Sequence, residues 1–177
     1  MADTNTEQST RGTKHNGQRL EAIILAAGKG TRMQSDLPKV CHLVGGRPMV
    51  CAVVDVCLEA GCDRVVVVVG YKQELVREAL AGYGDKVVFA VQEEQLGTGH
   101  AVMSAADSYK DIDTANTDIF VLCGDGPLIR TGTLNTLLDL HRSTGAAGTL
   151  ATSRIDDPSG YGRIVRDNAG AFARIIE

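Results

Sequence analysis

The sequence predicts an α/β domain with a mostly parallel sheet and helices on both faces, and three observations carry the prediction. Short apolar runs recur at Glu21 to Leu25, Arg64 to Gly70, Lys86 to Gln92 and Asp118 to Gly124. Between them, apolar residues repeat at helical spacing. The second run holds five consecutive valines, Val65 to Val69, the pattern of a strand covered on both faces. Strand then helix, repeated, builds a parallel sheet because each crossover returns through a helix.

Residues 1–19 are polar and have no periodic apolar face, so they read as a disordered tail in which His15 is inert. The domain is expected over residues 20–177. The first strand, Glu21 to Leu25, runs straight into Ala26-Ala27-Gly28-Lys29-Gly30. From Arg47 to Ala60, Met49, Val50, Val53, Val54, Cys57 and Leu58 share a helical stripe, and Gly61 supplies the stop. Helices are expected again at Gln73 to Leu80, Thr98 to Ser108 and Thr131 to Arg142, and one more strand at Gly148 to Arg154. Two short β runs around Asp167-Asn168-Ala169-Gly170 close the chain as a hairpin.

At 177 residues the chain can bury its own core. A net charge of -4, 4% aromatic residues and no Trp leave neither basic stripe nor stacking platform for nucleic acid. The five cysteines, Cys41, Cys51, Cys57, Cys62 and Cys123, form no C-x-x-C pair and mostly sit among apolar neighbours, as buried thiols of a reducing cytosol do. No apolar run reaches membrane-spanning length, so the expectation is a cytoplasmic protein without membrane partners.

The chemistry gathers at the end of the first strand. Gly28 and Gly30 leave no Cβ between backbone and ligand, so successive N–H groups can point at phosphate oxygens. Arg32 and Lys39 add two cations beside that loop, and Pro38 stiffens the approach to Lys39. The spacing is neither that of a P-loop nor that of a dinucleotide fingerprint. Ligands of open α/β sheets bind beyond the carboxyl ends of the strands, and Gln92 and Asp125 also stand at such ends. Asp125 follows the apolar run Ile119 to Cys123, where a carboxylate suits a hard cation. The amide of Gln92 can donate and accept at once, which suits the edge of a base.

The string from Leu25 through Gly28-Lys29-Gly30-Thr31-Arg32-Met33 to Pro38-Lys39 resembles the signature of sugar-1-phosphate nucleotidyltransferases. Within that family it is most similar to the N-acetylglucosamine-1-phosphate uridyltransferase (UDP-N-acetylglucosamine pyrophosphorylase) domain. Three later stretches fit in order: Gln92 with Gln95-Leu96-Gly97-Thr98-Gly99-His100-Ala101, then Gly124-Asp125 with Pro127-Leu128-Ile129, then Gly160-Tyr161-Gly162-Arg163-Ile164. The resemblance implies a Rossmann-like three-layer nucleotidyltransferase domain serving sugar nucleotide biosynthesis for cell envelope precursors. It implies that UTP and N-acetylglucosamine-1-phosphate give UDP-N-acetylglucosamine and pyrophosphate.

Carried over residue by residue, Arg32 and Lys39 would be catalytic. Leu25, Ala26, Ala27, Gly28, Gly30, Thr31, Gln92, Gly97 and Thr98 would bind the nucleotide, Gly162 and Glu177 the sugar, and Asp125 a Mg²⁺ ion. His100 reads as a structural hydrogen-bonder. Gly126 departs from the family, which usually carries a small apolar residue there. The family domain continues past residue 177, so the domain reads as truncated at its C-terminus. Without the hexapeptide β-helix of bifunctional relatives, a monomer is expected. Two alternatives stay open: a non-catalytic nucleotide- or sugar-nucleotide-binding module, and a pyrophosphorylase for another hexose-1-phosphate.

Overall fold

The computed structural model describes residues 18–176. Of the expected tail, only Gln18 and Arg19 fall among these, and Arg19 opens the first strand. In chain order the elements are β1 (Arg19–Leu25), β2 (Leu43–Val44), β3 (Arg47–Pro48), α1 (Met49–Glu59), β4 (Arg64–Val69), α2 (Gln73–Leu80), β5 (Val87–Val91), α3 (Thr98–Ser104), β6 (Thr117–Cys123), α4 (Thr131–Thr144), β7 (Arg163–Arg166) and β8 (Phe172–Ile176).

The main sheet has the order β5-β4-β1-β6, and every pairing in it is parallel. Val65 and Ala22, Val66 and Ile23, and Val67 and Ile24 lie side by side at its centre. Successive side chains of a strand point to opposite faces, so the valine run must be buried on both. Val65, Val67 and Val69 enter one core with Val50, Val53, Val54 and Cys57 of α1, Val76 and Leu80 of α2, and Leu134 and Leu138 of α4. Val66 and Val68 enter the other with Ala101, Ala105 and Tyr109. Helix, sheet and helix make the three layers.

The faces follow from the strand order. From β1 the chain steps outward through α1 to β4 and through α2 to β5, then returns through α3 to β6 on the far side of β1. Right-handed crossovers that run in opposite directions along a sheet place their helices on opposite faces. The reversal lies beside β1, so a crevice opens beyond its carboxyl end.

The other end of β1 is anchored electrostatically. Glu21 is fully buried and accepts from Arg64 Nε and Nη2 at 3.0 and 2.8 Å and from Arg19 at 3.1 Å. Arg64 also donates to the Ser108 carbonyl at 2.9 Å and stacks over the Tyr109 ring. Beside α1, Tyr83 Oη lies 2.6 Å from Asp55 and 3.1 Å from the Cys51 carbonyl, and Arg47 reaches the same Asp55 at 2.7 Å.

The described chain divides into two compact units, the first ending at Leu138 and the second running from Asp139. The second holds the end of α4 and the antiparallel hairpin β7–β8, with a bulge after Val165. Two expectations are corrected. Gly148 to Arg154 forms no strand: it has one large apolar residue, Leu150, itself exposed, and no ladder partner among the described residues. The helix from Thr98 ends at Ser104, and a 3₁₀ turn over Ala106–Tyr109 follows. Four of the five cysteines are buried as expected, but Cys123 is exposed.

Candidate active site

The carboxyl ends of β1, β5 and β6 converge on a cavity of about 400 Å³. Its floor is apolar, formed by Leu25, Ala26, Ala27, Val40 and Ala101, and its polar groups are few: Lys39, Gln92, Gln95, Thr98 and Asp125. A small-molecule site has this composition, with shape from the apolar walls and orientation from a few fixed polar atoms.

The β1 end is built by short hydrogen bonds. Ala26 N–H donates to Val68 O at 2.8 Å, which carries the strand one residue beyond its ladder. The Ala27 carbonyl then accepts from Tyr71 N–H at 3.1 Å and from Gln95 Nε2 at 3.0 Å, tying the loops after β4 and β5 to the glycine loop. Gly30 has a left-handed backbone, φ 70° and ψ 53°, and a Cβ there would stand 2.6 Å from Lys39 Cβ. Only glycine satisfies both constraints, so Gly30 is what allows Lys39 to lie against the loop. Gly28, by contrast, has open space where its Cβ would be.

Lys39 opens the 3₁₀ turn Lys39–Cys41 after the extended Pro38. Its ammonium lies 2.5 Å from Asp125 Oδ2, a pair 86 residues apart in sequence. Both side chains remain partly exposed, at 43% and 32%, so the pair is accessible to a ligand and contributes little to stability. A cation and an anion poised together at a strand end can part to take a phosphate and a metal ion. Beside them, partial burial and the Asp125 carboxylate push the Cys123 thiol up while Lys39 opposes them, which keeps that sulfur a protonated thiol at neutral pH rather than a nucleophile.

Across the cavity, Gln92 is 5% exposed and held by its own backbone N–H to Val69 O at 2.8 Å. Its Nε2 reaches Gly97 O at 3.2 Å and His100 Nδ1 at 3.0 Å. Gly97, φ 99°, turns the loop into α3, a conformation that a side chain would strain.

Of the residues singled out in the sequence, Leu25, Ala26, Ala27, Gly28, Gly30, Lys39, Gln92, Gly97, Thr98 and Asp125 all line this one cavity. Thr31 and Arg32 do not line it: they form the exposed turn Thr31–Met33 that follows Gly30. Gly162 belongs to the second unit, where a Cβ would stand 3.1 Å from Ile175 Cγ2, and Glu177 lies outside the described residues. The sequence reading gave no role to Gln95 or Cys123, which also line the cavity. Gln95 carried a signal, its place inside the Gln-Leu-Gly-Thr-Gly-His string. Cys123 carried none, because the apolar run Ile119 to Cys123 does not reveal which of its residues face outward.

Among the described residues no helix is long and apolar enough to cross a membrane. The chain is 52% identical over 158 residues to the bifunctional protein GlmU of Geobacter metallireducens, covering 89% of this chain and 32% of that protein. It is 49% identical to the GlmU of Heliobacterium modesticaldum over 157 residues, 88% of this chain and 33% of the relative. It thus spans about a third of the length of those relatives. Its fold is similar to that of HddC from Yersinia pseudotuberculosis, solved with GMP-PN, with a TM-score of 0.66 and 23% identity over 89% of this chain and 68% of that one. The model of the MobA-like NTP transferase domain matches residues 22–172, and with its Rossmann-like nucleotidyltransferase fold the chain belongs to that family.

Proposed function

We propose that the cavity binds UTP and a sugar-1-phosphate and that the chain carries uridylyl transfer, joining UTP and N-acetylglucosamine-1-phosphate into UDP-N-acetylglucosamine and pyrophosphate. The observation that carries this reading is the placement of the glycine loop, the Lys39–Asp125 pair and Gln92 around a single cavity at the point where the strand order reverses. The identity of about half to GlmU proteins supports it.

The reaction is a displacement at the α-phosphorus of UTP. An oxygen of the sugar phosphate forms the new P–O bond, and the bond from that phosphorus to the bridging oxygen of the β-phosphate breaks. Pyrophosphate leaves with the electron pair, and no proton has to move. The protein therefore acts by positioning and by stabilising charge. Gly28 and Gly30 present backbone N–H groups to the triphosphate, with Thr31 and Arg32 on the turn beyond. Lys39 exchanges Asp125 for a phosphate oxygen when the nucleotide arrives. Gln92, Gly97 and Thr98 hold the base against the apolar floor of Leu25, Ala26 and Ala27. Gly162 and Glu177 remain the sugar-binding proposals.

Asp125 suits Mg²⁺, which takes one or two carboxylates and completes its shell with water and substrate phosphates. Bound there, the ion would supply the positive charge that offsets the phosphates in the transition state. The small-molecule substrates and the four buried cysteines fit a cytoplasmic enzyme.

The test is pyrophosphate release with Mg²⁺, UTP and N-acetylglucosamine-1-phosphate. Release is expected to need Mg²⁺, to exceed that with glucose-1-phosphate, and to fall about 100-fold or more in Asp125→Ala and Lys39→Ala. Nucleotide binding without release would make the chain a binding module, and neither binding nor release would remove the site assignment.

A further inference from the structure

We infer that His100 is a positioning residue for base selection: it holds the amide of Gln92 so that Oε1, not Nε2, is offered to the ligand, and it thereby favours a base presenting a ring N–H, as uracil does at N3, over one presenting a ring acceptor, as cytosine does. The inference rests on the reading of the cavity as a pyrimidine nucleotide site.

The orientation of the amide follows from its partners. The Gly97 carbonyl can only accept, so the Gln92 atom 3.2 Å away must be the donor, Nε2. The reverse orientation would set two carbonyl oxygens against each other. One hydrogen of Nε2 serves Gly97, and the second points to His100 Nδ1 at 3.0 Å. An atom that accepts carries no proton, so His100 is the neutral tautomer with its hydrogen on Nε2. Both donors of Gln92 are then spent within the protein. Among the described residues none donates to Oε1, although the residue is 95% buried by its 5% exposure and lines the cavity. Oε1 is reached by solvent rather than buried without a partner, and a ligand N–H entering the cavity pairs with it.

His100 makes the difference between this state and its alternative. Gly97 fixes one hydrogen bond of the amide; the second bond, donated by Nε2 to the ring on α3, holds it more firmly. With both in place, a cytosine ring nitrogen would face Oε1 acceptor to acceptor. With His100 removed, the Gly97 carbonyl alone disfavours the reversed amide, and the selection against cytosine weakens. His100 touches no reacting atom in this scheme and acts only through Gln92.

The experiment measures UTP and CTP affinities by calorimetry, with Mg²⁺, for the unmodified chain, His100→Ala and His100→Asn, together with ¹⁵N NMR of the His100 ring. The unmodified chain is expected to prefer UTP by about tenfold or more, and His100→Ala to lower that preference by about threefold or more. His100→Asn places an acceptor where Nδ1 stands and restores the preference, which a merely structural role would not predict. The ring should show an unprotonated Nδ1 and a protonated Nε2. An unchanged ratio in His100→Ala, or a proton on Nδ1, overturns the inference while leaving the nucleotide site standing. Failure of the unmodified chain to bind either nucleotide overturns the nucleotide reading and this inference with it. The NMR result needs no nucleotide and stands if a variant does not fold.

Discussion

Gly30→Ala separates the cost of building the site from the cost of using it. The substitution asks a residue with a Cβ to hold φ 70°, which costs about 1–2 kcal/mol. It also puts that Cβ 2.6 Å from Lys39 Cβ, well inside contact distance, and relieving such overpacking costs about 1–3 kcal/mol. Together roughly 2–5 kcal/mol is at stake, a large fraction of the roughly 5–15 kcal/mol that holds an ordinary domain folded. Urea denaturation reads this directly: with a slope of about 2 kcal/mol per molar, the midpoint falls by about 1–2.5 M. Gly28→Ala is the control. No atom lies within 4 Å of its Cβ and its φ is not positive, so its midpoint should barely move, within about 0.5 kcal/mol, while UTP affinity falls because the new methyl enters the cavity. In the double variant Gly30→Ala with Lys39→Gly the clash disappears and the backbone strain stays, so a coupling of about 1–3 kcal/mol is expected. Equal stability of Gly30→Ala and Gly28→Ala, or strict additivity in the double variant, would refute the steric argument.

Arg64→Ala leaves the buried Glu21 carboxylate with Arg19 as its one charge partner among the described residues and should cost about 3 kcal/mol by urea denaturation, whereas Glu21→Leu, which leaves the partly exposed Arg64 and Arg19 behind, should cost clearly less. A thiol reagent should label Cys123 first in the native chain and the remaining four cysteines only on unfolding, with UTP protecting Cys123 because it lines the cavity. Burial pushes the Cys41 thiol up to about 11 from 9.0, and Cys51 and Cys62 are raised too. Above pH 9 the unfolded chain loses these protons while the folded chain keeps them, so stability is unaffected below pH 9 and falls as pH climbs from 9 to about 11. The urea midpoint followed across that range should decline, and Cys41→Val should flatten part of the slope.

The layers of the fold were readable because burial on both faces leaves a mark in composition: Val65 to Val69 could be little other than a central strand, and β4 is one. That Gly28, Gln92 and Asp125 would share one cavity was readable at the level of strand ends, since it needed only the rule that ligands bind beyond carboxyl ends. Gly148 to Arg154 was not readable. Its short alternation looks like a strand, but a strand exists only with a ladder partner, and pairing is a tertiary fact. The outward face of β6, Ile119, Val121 and Cys123, was hidden for the same reason, because an edge strand and a central one share an apolar vocabulary. The Lys39–Asp125 pair and the locking of Gln92 by His100 depend on distances between separate elements, which spacing along the chain does not encode. Arg32 fell beside the cavity rather than on its lining because the left-handed Gly30 turns the chain away into the 3₁₀ turn before the side chain is reached.

A crystal structure of the chain with UTP and Mg²⁺ tests the central claim most directly. The account predicts the phosphates against the backbone of Gly28 and Gly30, the Lys39–Asp125 pair parted with Lys39 on a phosphate oxygen and the ion on Asp125, and the uracil N3–H on Gln92 Oε1. A nucleotide bound outside this cavity, or bound within it while Lys39 and Asp125 remain paired, would contradict it.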